Sequence, residues 1–218
     1  MNPILTQDDT PRTESVTRIL AAAERLFSAS GFEAVSMHDI AAAAGVSKAN
    51  IFHHFASKQA LYMEVVRGAC QDSFDRLHNL DADDGPFVQR LGVFAAGMLR
   101  NMLEHDQVHR LILRELLTHG EERGRELAEQ VFGDNFARLV SILRAGQTRG
   151  ELRADLDPAM AATLLIGANV FFFEAQQVLR HFHDVDFAHD PLRYSQMLTD
   201  ILLRGILAHP DKTNLSGI

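Results

Sequence analysis

Residues 48–54 place a lysine, an asparagine and two histidines within one short segment, KANIFHH. Asparagine can hydrogen-bond to an adenine edge, alanine can contact a thymine methyl group, and lysine can pair with phosphate. Ile51 and Phe55 are four positions apart, so on a helix they share one face and can anchor it to a core. We therefore predict that this segment is a helix whose other face contacts DNA.

The residues before this segment predict a second short helix and a tight turn. Ser36 can cap that helix, and Asp39 three positions later completes a capping box. Gly45 follows where a helix end favours a residue that tolerates positive φ, and Ser47 can cap the next helix. Two short helices joined in this way form a helix-turn-helix, which places its second helix in the major groove.

The predicted DNA interface continues into the following helix. Ser57 can cap that helix, so the free N–H groups at its start and the Lys58 ammonium are suited to bind a phosphate. The alternative is a helical hairpin that only packs against its neighbours. The predicted DNA contacts are Ser36, Ser47, Lys48, Ala49, Asn50, Phe52, His53, His54 and Lys58.

Residues 13–65 resemble the DNA-binding head of the tetracycline-repressor (TetR) family. The resemblance rests on AAERLFSASGFEAVSM, on IAAAAGVSKANIFHHFASK and on the ALY that follows. It implies that this head is joined to a divergent helical body that dimerises and binds a small molecule. Ala49 stands where the family often has Gly, and Phe52 where Tyr is commonest, which removes one hydroxyl that could bond to phosphate.

Composition and charge agree with a cytoplasmic protein that binds DNA through a local surface. The 218-residue chain carries a formal net charge of −8, yet it has no acidic residue between positions 41 and 63. An acidic chain is not expected to coat nucleic acid or a membrane broadly. The single cysteine, Cys70, excludes an intramolecular disulfide and fits a reducing cytoplasm, and the polar start of the chain lacks a signal-peptide pattern.

The apolar periodicity predicts an all-α fold of about nine helices with a three-helix head. We assign residues 11–57 to the DNA-binding domain, 58–208 to a ligand-binding and dimerisation body, and 1–10 and 209–218 to flexible tails. Residues 81–85 form a solvated break. Beyond the helix-turn-helix, helices are expected over about 11–30, 57–80, 86–105, 107–119, 121–149, 158–182 and 191–208.

Residues 158–173, PAMAATLLIGANVFFF, contain no charged residue. The stretch is shorter than the roughly 20 residues of a membrane span. A helix that is apolar all round must be buried all round, so one face is expected to contact a second copy of the chain. The predicted homodimer interface consists of Leu165, Phe172, Leu198, Ile201, Leu202 and Gly205.

A pocket for a small apolar or amphipathic ligand is implied by the resemblance, and the sequence permits one. Methionines adapt to irregular pockets, although such a stripe is more often ordinary core. The Glu174 carboxylate can orient a ligand or can mark the point where its helix emerges into solvent. The candidate pocket residues are Phe94, Met98, Met102, Leu111, Phe136, Val140, Phe171 and Glu174.

Other chemistries have weaker support. Two groups of residues could converge on a metal ion: His105 and His109 with Glu115 or His119, and the histidines of 181–190. Neither group has a recognised metal-site spacing. We therefore predict no metal or other cofactor. Cys70 could report oxidation, although a lone helical cysteine is more often a small buried residue. No G-x-S-x-G, phosphate-binding loop or dinucleotide motif supports an enzyme.

The sequence therefore predicts a homodimeric repressor that binds a palindromic DNA operator and is released by a small molecule. A metal-responsive regulator and a ligand-free dimeric regulator are the alternatives within the same class. A helical enzyme or a binding module unrelated to DNA is ranked below them.

Overall fold

The computed structural model describes residues 10–82 and 85–206, and these residues contain helices and no β-strand. The predicted all-α class is confirmed. The helices are α1 (Thr10–Ser30), α2 (Met37–Ala44), α3 (Lys48–His54), α4 (Lys58–Ala82), α5 (Phe87–Glu104), α6 (Asp106–Leu127), α7 (Gly133–Thr148), α8 (Pro158–Leu179) and α9 (Pro191–Ile206).

The described residues form two compact units. The first contains residues 10–69 and 106–131, and the second contains residues 70–82, 85–105 and 132–206. Helix α6 therefore belongs with α1 to α3, whereas the predicted division at residues 57 and 58 assigned it to the body; that division stays a prediction. The predicted tails fall outside the described residues, except for Thr10, which begins α1.

The core of the first unit contains apolar side chains from the long helix α1 and from the two short helices α2 and α3. Ile19, Ala23 and Phe27 of α1, Ile40 of α2 and Ile51 of α3 have no exposed surface. Gly31 ends α1 with a φ of 87°, in the left-handed region that glycine adopts readily. The buried apolar face of α1 is thus the surface against which α2 and α3 pack.

Between α5 and α8 the chain follows the two helices expected there, with one local irregularity. A break at Gly120 was predicted, and α6 contains one at that residue, with φ 48° and ψ −115°. The helix expected over about 121–149 is also present: residues 121–148 are helical throughout, with a π-helical turn at Ala128–Phe132 before α7 begins at Gly133.

In the second unit, α8 is the most apolar helix. Asp157 caps it by accepting hydrogen bonds from the N–H groups of Ala159 (2.8 Å) and Met160 (3.2 Å). By length and composition alone, α8 is long and apolar enough to cross a membrane, but core helices of soluble proteins also meet these criteria. One third of its most apolar 18-residue segment is buried. Its outer face therefore needs a covering that the described part of the chain does not supply.

Two glycines with equal space for a side chain but different backbone conformations allow a test of the turn between α2 and α3. Gly45 has a φ of 64°, whereas Gly68 is an exposed helical residue of α4, and neither position has an atom within 4 Å of an added Cβ. Gly45→Ala should destabilise the protein by roughly 1–2 kcal/mol because of left-handed strain. Gly68→Ala should stabilise it by about 0.5–1 kcal/mol through helix propensity. Urea unfolding measures both; equal signs would contradict the assignment.

Candidate nucleic-acid interface

Both short helices begin and end with side-chain and backbone hydrogen bonds. The Asp39 N–H donates to the Ser36 hydroxyl oxygen (3.2 Å), and the Ser36 N–H donates to the Asp39 carboxylate (2.9 Å). The Ser36 hydroxyl also donates to the Asp39 carboxylate, and this bond, followed by the one from the Ser36 N–H, lowers the pKa of Asp39. The predicted capping box is therefore present. It engages the Ser36 hydroxyl with a carboxylate, so contact of Ser36 with phosphate stays a prediction.

The turn between the helices has the geometry expected from its glycine. Gly45 adopts the left-handed conformation, and the Val46 N–H donates to the Ala41 carbonyl at 3.0 Å while the Gly45 N–H donates to the Ala42 carbonyl at 3.3 Å. This pair of bonds is the Schellman arrangement that satisfies the last carbonyls of a helix. Ser47 then caps α3 by accepting from the Asn50 N–H at 3.1 Å.

Helix α3 has one buried face and one exposed face. Ile51 has no exposed surface and Phe55 is 7% exposed, so these two residues anchor the helix as predicted. On the other face Lys48, Ala49 and His53 are exposed, and Phe52 is 45% exposed. The Lys48 ammonium lies 5.7 Å from the centre of the Phe52 ring. The exposed face of α3 therefore combines a cation, a small residue, an aromatic ring and an imidazole.

Asn50 and His54 are less accessible than their neighbours. Both are half-buried, and the side-chain oxygen of Asn50 is buried without a hydrogen-bond partner among the described residues. His54 contacts its neighbours, with ring centres 5.0 Å from His53 and 6.4 Å from Phe55. Base contact by either side chain stays a prediction; to accept a hydrogen bond from a base, the buried side-chain oxygen of Asn50 must turn outwards.

Lys58 is held by the head itself. Its ammonium donates to the backbone carbonyls of Phe32 (3.0 Å) and Glu33 (3.4 Å) and lies 4.2 Å from the centre of the Phe32 ring. Ser57 caps α4 as expected, accepting from the Ala60 N–H at 3.0 Å. Lys58 as a phosphate ligand stays a prediction, but in this structure its charge stabilises the turn after α1.

A buried ion pair that the sequence did not predict attaches α6 to the same turn. The Phe32 N–H donates to the Glu115 carboxylate at 3.3 Å, and Arg123 pairs with the other Glu115 oxygen at 3.4 Å. The Arg123 guanidinium also lies 4.7 Å from the Phe32 ring centre and 4.9 Å from the Tyr62 ring centre. Phe32 and Glu115 are 83 positions apart in the sequence, which explains why no local pattern signalled this contact.

Glu115 was also a candidate metal ligand, as the alternative to His119 beside His105 and His109. Its carboxylate is occupied by Arg123 and Phe32, and His119 lies 3.6 Å from it. Across residues 10–82 and 85–206 no three His, Cys, Asp or Glu residues are grouped to hold a metal ion.

Cys70, the candidate oxidation sensor, is buried. Burial raises the pKa of the Cys70 thiol to about 12, which disfavours the reactive thiolate.

The predicted pocket and interface residues lie in different surroundings. Phe94, Met98, Met102 and Leu111 are buried and Val140 is half-buried, whereas Phe136, Phe171 and Glu174 are exposed. A cavity of about 40 Å³ in the second unit is lined by other residues, among them Leu91, Leu143 and Leu203. Of the predicted interface, Leu165 is 4% and Phe172 0% exposed, so both side chains are buried within the chain itself, and their part in a dimer interface stays a prediction. Ile201 and Gly205 are exposed, and Leu198 and Leu202 half-buried.

Comparison with known proteins covers both halves of the chain. Residues 19–65 match the family model "Bacterial regulatory proteins, tetR family", and residues 81–178 match "Tetracyclin repressor-like, C-terminal domain". The transcriptional repressor KstR2 of Rhodococcus jostii is 28% identical over 173 residues, which cover 76% of this chain and 81% of that protein.

Solved structures share the fold. The fatty acid degradation regulator FadR of Bacillus halodurans superposes with a TM-score of 0.72 at 16% identity, covering 91% of this chain and 98% of that one. Salmonella enterica GusR superposes with a TM-score of 0.67 at 24% identity, covering 94% and 99% of the two chains.

The two lysines of the interface should respond differently to removal. Lys58→Ala should lower the free energy of unfolding by roughly 1–3 kcal/mol, because charge-assisted bonds to two carbonyls are lost. Lys48→Ala should leave stability unchanged and should reduce the slope of log K against log salt for DNA binding by about one phosphate contact. Urea unfolding and a salt titration of binding measure these effects. A normal salt slope for Lys48→Ala would contradict its contact with phosphate.

Proposed function

The chain belongs to the TetR family of bacterial regulatory proteins, and from that premise we propose that it represses transcription as a homodimer on a palindromic operator. It is a DNA-binding transcriptional regulator and not an enzyme. The observation that carries the operator proposal is the exposed face of α3, with Lys48, Ala49, Phe52 and His53 on a helix fixed by a cap and a buried isoleucine.

The chemistry of this face suits the major groove. Ala49 permits close approach, His53 can donate a hydrogen bond to a base or a phosphate, and Lys48, at the leading end of the helix, can pair with a phosphate. The acid-free sequence between residues 41 and 63 keeps negative charge away from the contact, despite the net charge of −8. Few phosphates are neutralised by each head, so the specific contacts must supply most of the affinity.

The homodimer proposal rests on the outer faces of α8 and α9. Phe171 is 64% and Ile201 66% exposed. Gly167 and Gly205 lie on the same faces with open space around them, which permits a second helix to approach closely. Large apolar side chains exposed on these two helices are Met160, Leu164, Phe171, Val178, Leu192, Met197 and Ile201. Their exposure fits an isologous four-helix interface with a second copy of the chain.

The remaining part of the proposal is that a small molecule releases the protein from its operator. A regulator of this kind acts in the cytoplasm, where the operator and the ligand are both present. Helix α4 begins in the first unit and ends in the second, so it can transmit a change in the body to the head. The ligand must bind the geometry that is incompetent for DNA more tightly than the competent one. A ligand that bound the body and left operator affinity unchanged would rule out this mechanism.

Selection of DNA from a random pool tests the operator proposal. We expect enrichment of a palindrome bound by two chains, with half-sites spaced by about one helical turn or a multiple of it. Random-sequence competitor and a salt series separate specific from non-specific binding.

Selection with Asn50→Ala serves as the internal comparison. If Asn50 contacts a base, the variant should lose preference at one position of each half-site, worth roughly 1–3 kcal/mol. If no sequence is enriched at any salt concentration, the operator proposal fails.

Charged substitutions on α8 and α9 test the dimer. Phe171→Asp and Ile201→Asp should each weaken dimerisation by roughly 3 kcal/mol or more, because an uncompensated carboxylate would be buried at the interface. Leu117→Asp is the matched control, since Leu117 is 89% exposed on α6 and lies outside the proposed interface. Sedimentation equilibrium measures the dissociation constant. A dimer unaffected by both substitutions would place the interface elsewhere.

A further inference from the structure

Arg76, near the end of α4, is a half-buried cation that has no counter-charge in the part of the chain that the structure describes. Among the described residues it has no ion pair and no hydrogen-bond partner, and its Nε atom is buried. The other arginine of this helix, Arg67, is by contrast paired with Glu64. A buried guanidinium N–H without a hydrogen-bond partner raises the free energy of the folded protein. A ligand that accepts a hydrogen bond from Arg76 would remove this cost.

A glycine on the neighbouring helix α5 makes room for Arg76. A Cβ atom added to Gly97 would lie 2.5 Å from Cδ, 3.0 Å from Nε and 3.5 Å from Cζ of Arg76. These distances show that the guanidinium end of Arg76 lies directly against the surface of α5 at Gly97. Any larger residue at position 97 would displace it.

One helical turn after Gly97, the same face of α5 carries a buried amide. Asn101 is 2% exposed, and neither its side-chain oxygen nor its side-chain nitrogen has a hydrogen-bond partner in the part of the chain that the structure describes. Residues four apart on a helix are neighbours, with Cβ atoms about 5–6 Å apart. An unpaired guanidinium and an unpaired amide are thus adjacent on one side of α5.

Apolar side chains adjoin these polar groups on α5. Phe94, Met98 and Met102 are each less than 9% exposed and lie within one turn of Gly97 or Asn101. Methionine side chains can rearrange to admit a ligand at little cost. The same stretch of helix therefore offers polar donors and an adaptable apolar surface.

We propose that Arg76 and Asn101, brought together over Gly97, form the site for an anionic oxygen group, a carboxylate or phosphate monoester, of an amphipathic ligand whose apolar part packs against α5. The guanidinium fork matches either anion with two parallel hydrogen bonds. The Asn101 side-chain nitrogen donates a further bond to the same group. This inference rests on the proposed ligand-released repressor and specifies the chemical class of its effector.

Three probes with the same ten-carbon chain test the charge requirement: decanoate, decyl phosphate and decanol. Binding to the full-length protein is measured by calorimetry and by the rise in melting temperature. At least one anion should bind and raise the melting temperature, whereas decanol should bind about 10- to 100-fold more weakly, since it lacks charge-assisted bonds. Equal binding by decanol, or binding by neither anion, would overturn the proposal. The two anions together show which oxygen group is preferred.

Variants assign the effect to residues. Arg76→Met and Asn101→Leu should each weaken anion binding by about tenfold or more. Asn101→Leu should fold at least as stably as the parent, because it removes an unsatisfied buried amide. That variant therefore keeps the test decisive if Arg76→Met fails to fold. Gly97→Ala should also weaken anion binding by displacing Arg76, and Gly68→Ala is the matched control without an effect. Unchanged anion affinity in Asn101→Leu would contradict the assignment.

Operator binding measured in parallel separates this inference from the proposed function. A protein that binds a palindrome but neither anion is a regulator without this site. A protein that binds decanoate through Arg76 but enriches no DNA sequence retains the site and lacks the proposed function.

Discussion

The helix that presents the DNA-facing side chains cannot hold its own shape. Helix α3 has seven residues, whereas isolated helices shorter than about 12–15 residues are marginal in water. Its conformation therefore depends on the Ser47 cap at one end and on burial of Ile51 against the core. The exposed face has a fixed direction only because the opposite face is fully buried. Every contact proposed for Lys48, Ala49 and His53 depends on that burial.

The buried pair of Glu115 and Arg123 fixes the turn on which this core rests. Buried ion pairs contribute little net stability, because desolvation offsets their attraction, but loss of one partner is strongly destabilising. Here the Glu115 carboxylate also accepts from the N–H of buried Phe32, a donor that would otherwise need another partner. The main effect of this ion pair is therefore on the position of the chain and not on the free energy of unfolding. It determines where the chain leaves α1, and Lys58 secures the same turn from α4.

The limits of prediction from sequence follow from the range of each interaction. Ser36 with Asp39 and Ser47 with Asn50 are three residues apart, so the caps, the turn and the recognition helix could be identified from local pattern. The contact of Phe32 with Glu115, and that of Arg76 with Gly97, join distant segments and leave no local trace. On α8 the reason is different. Because residues 158–173 are apolar on every side, no polar residue marks the outer face, and a choice of Leu165 over Leu164 turns the helix by about 100°.

The polar groups left unpaired in the body bear on how a ligand can act at a distance from DNA. A ligand shifts an equilibrium only by the difference between its affinities for two conformations, so tight binding alone releases nothing. Arg76 lies on α4, the helix that continues from the head, whereas Asn101 lies on α5. In the proposed site, an anion held by both side chains would fix the end of α4 against α5 in one register. If that register is the one in which the head is misplaced for the operator, pairing of two previously unsatisfied groups supplies the free energy for release.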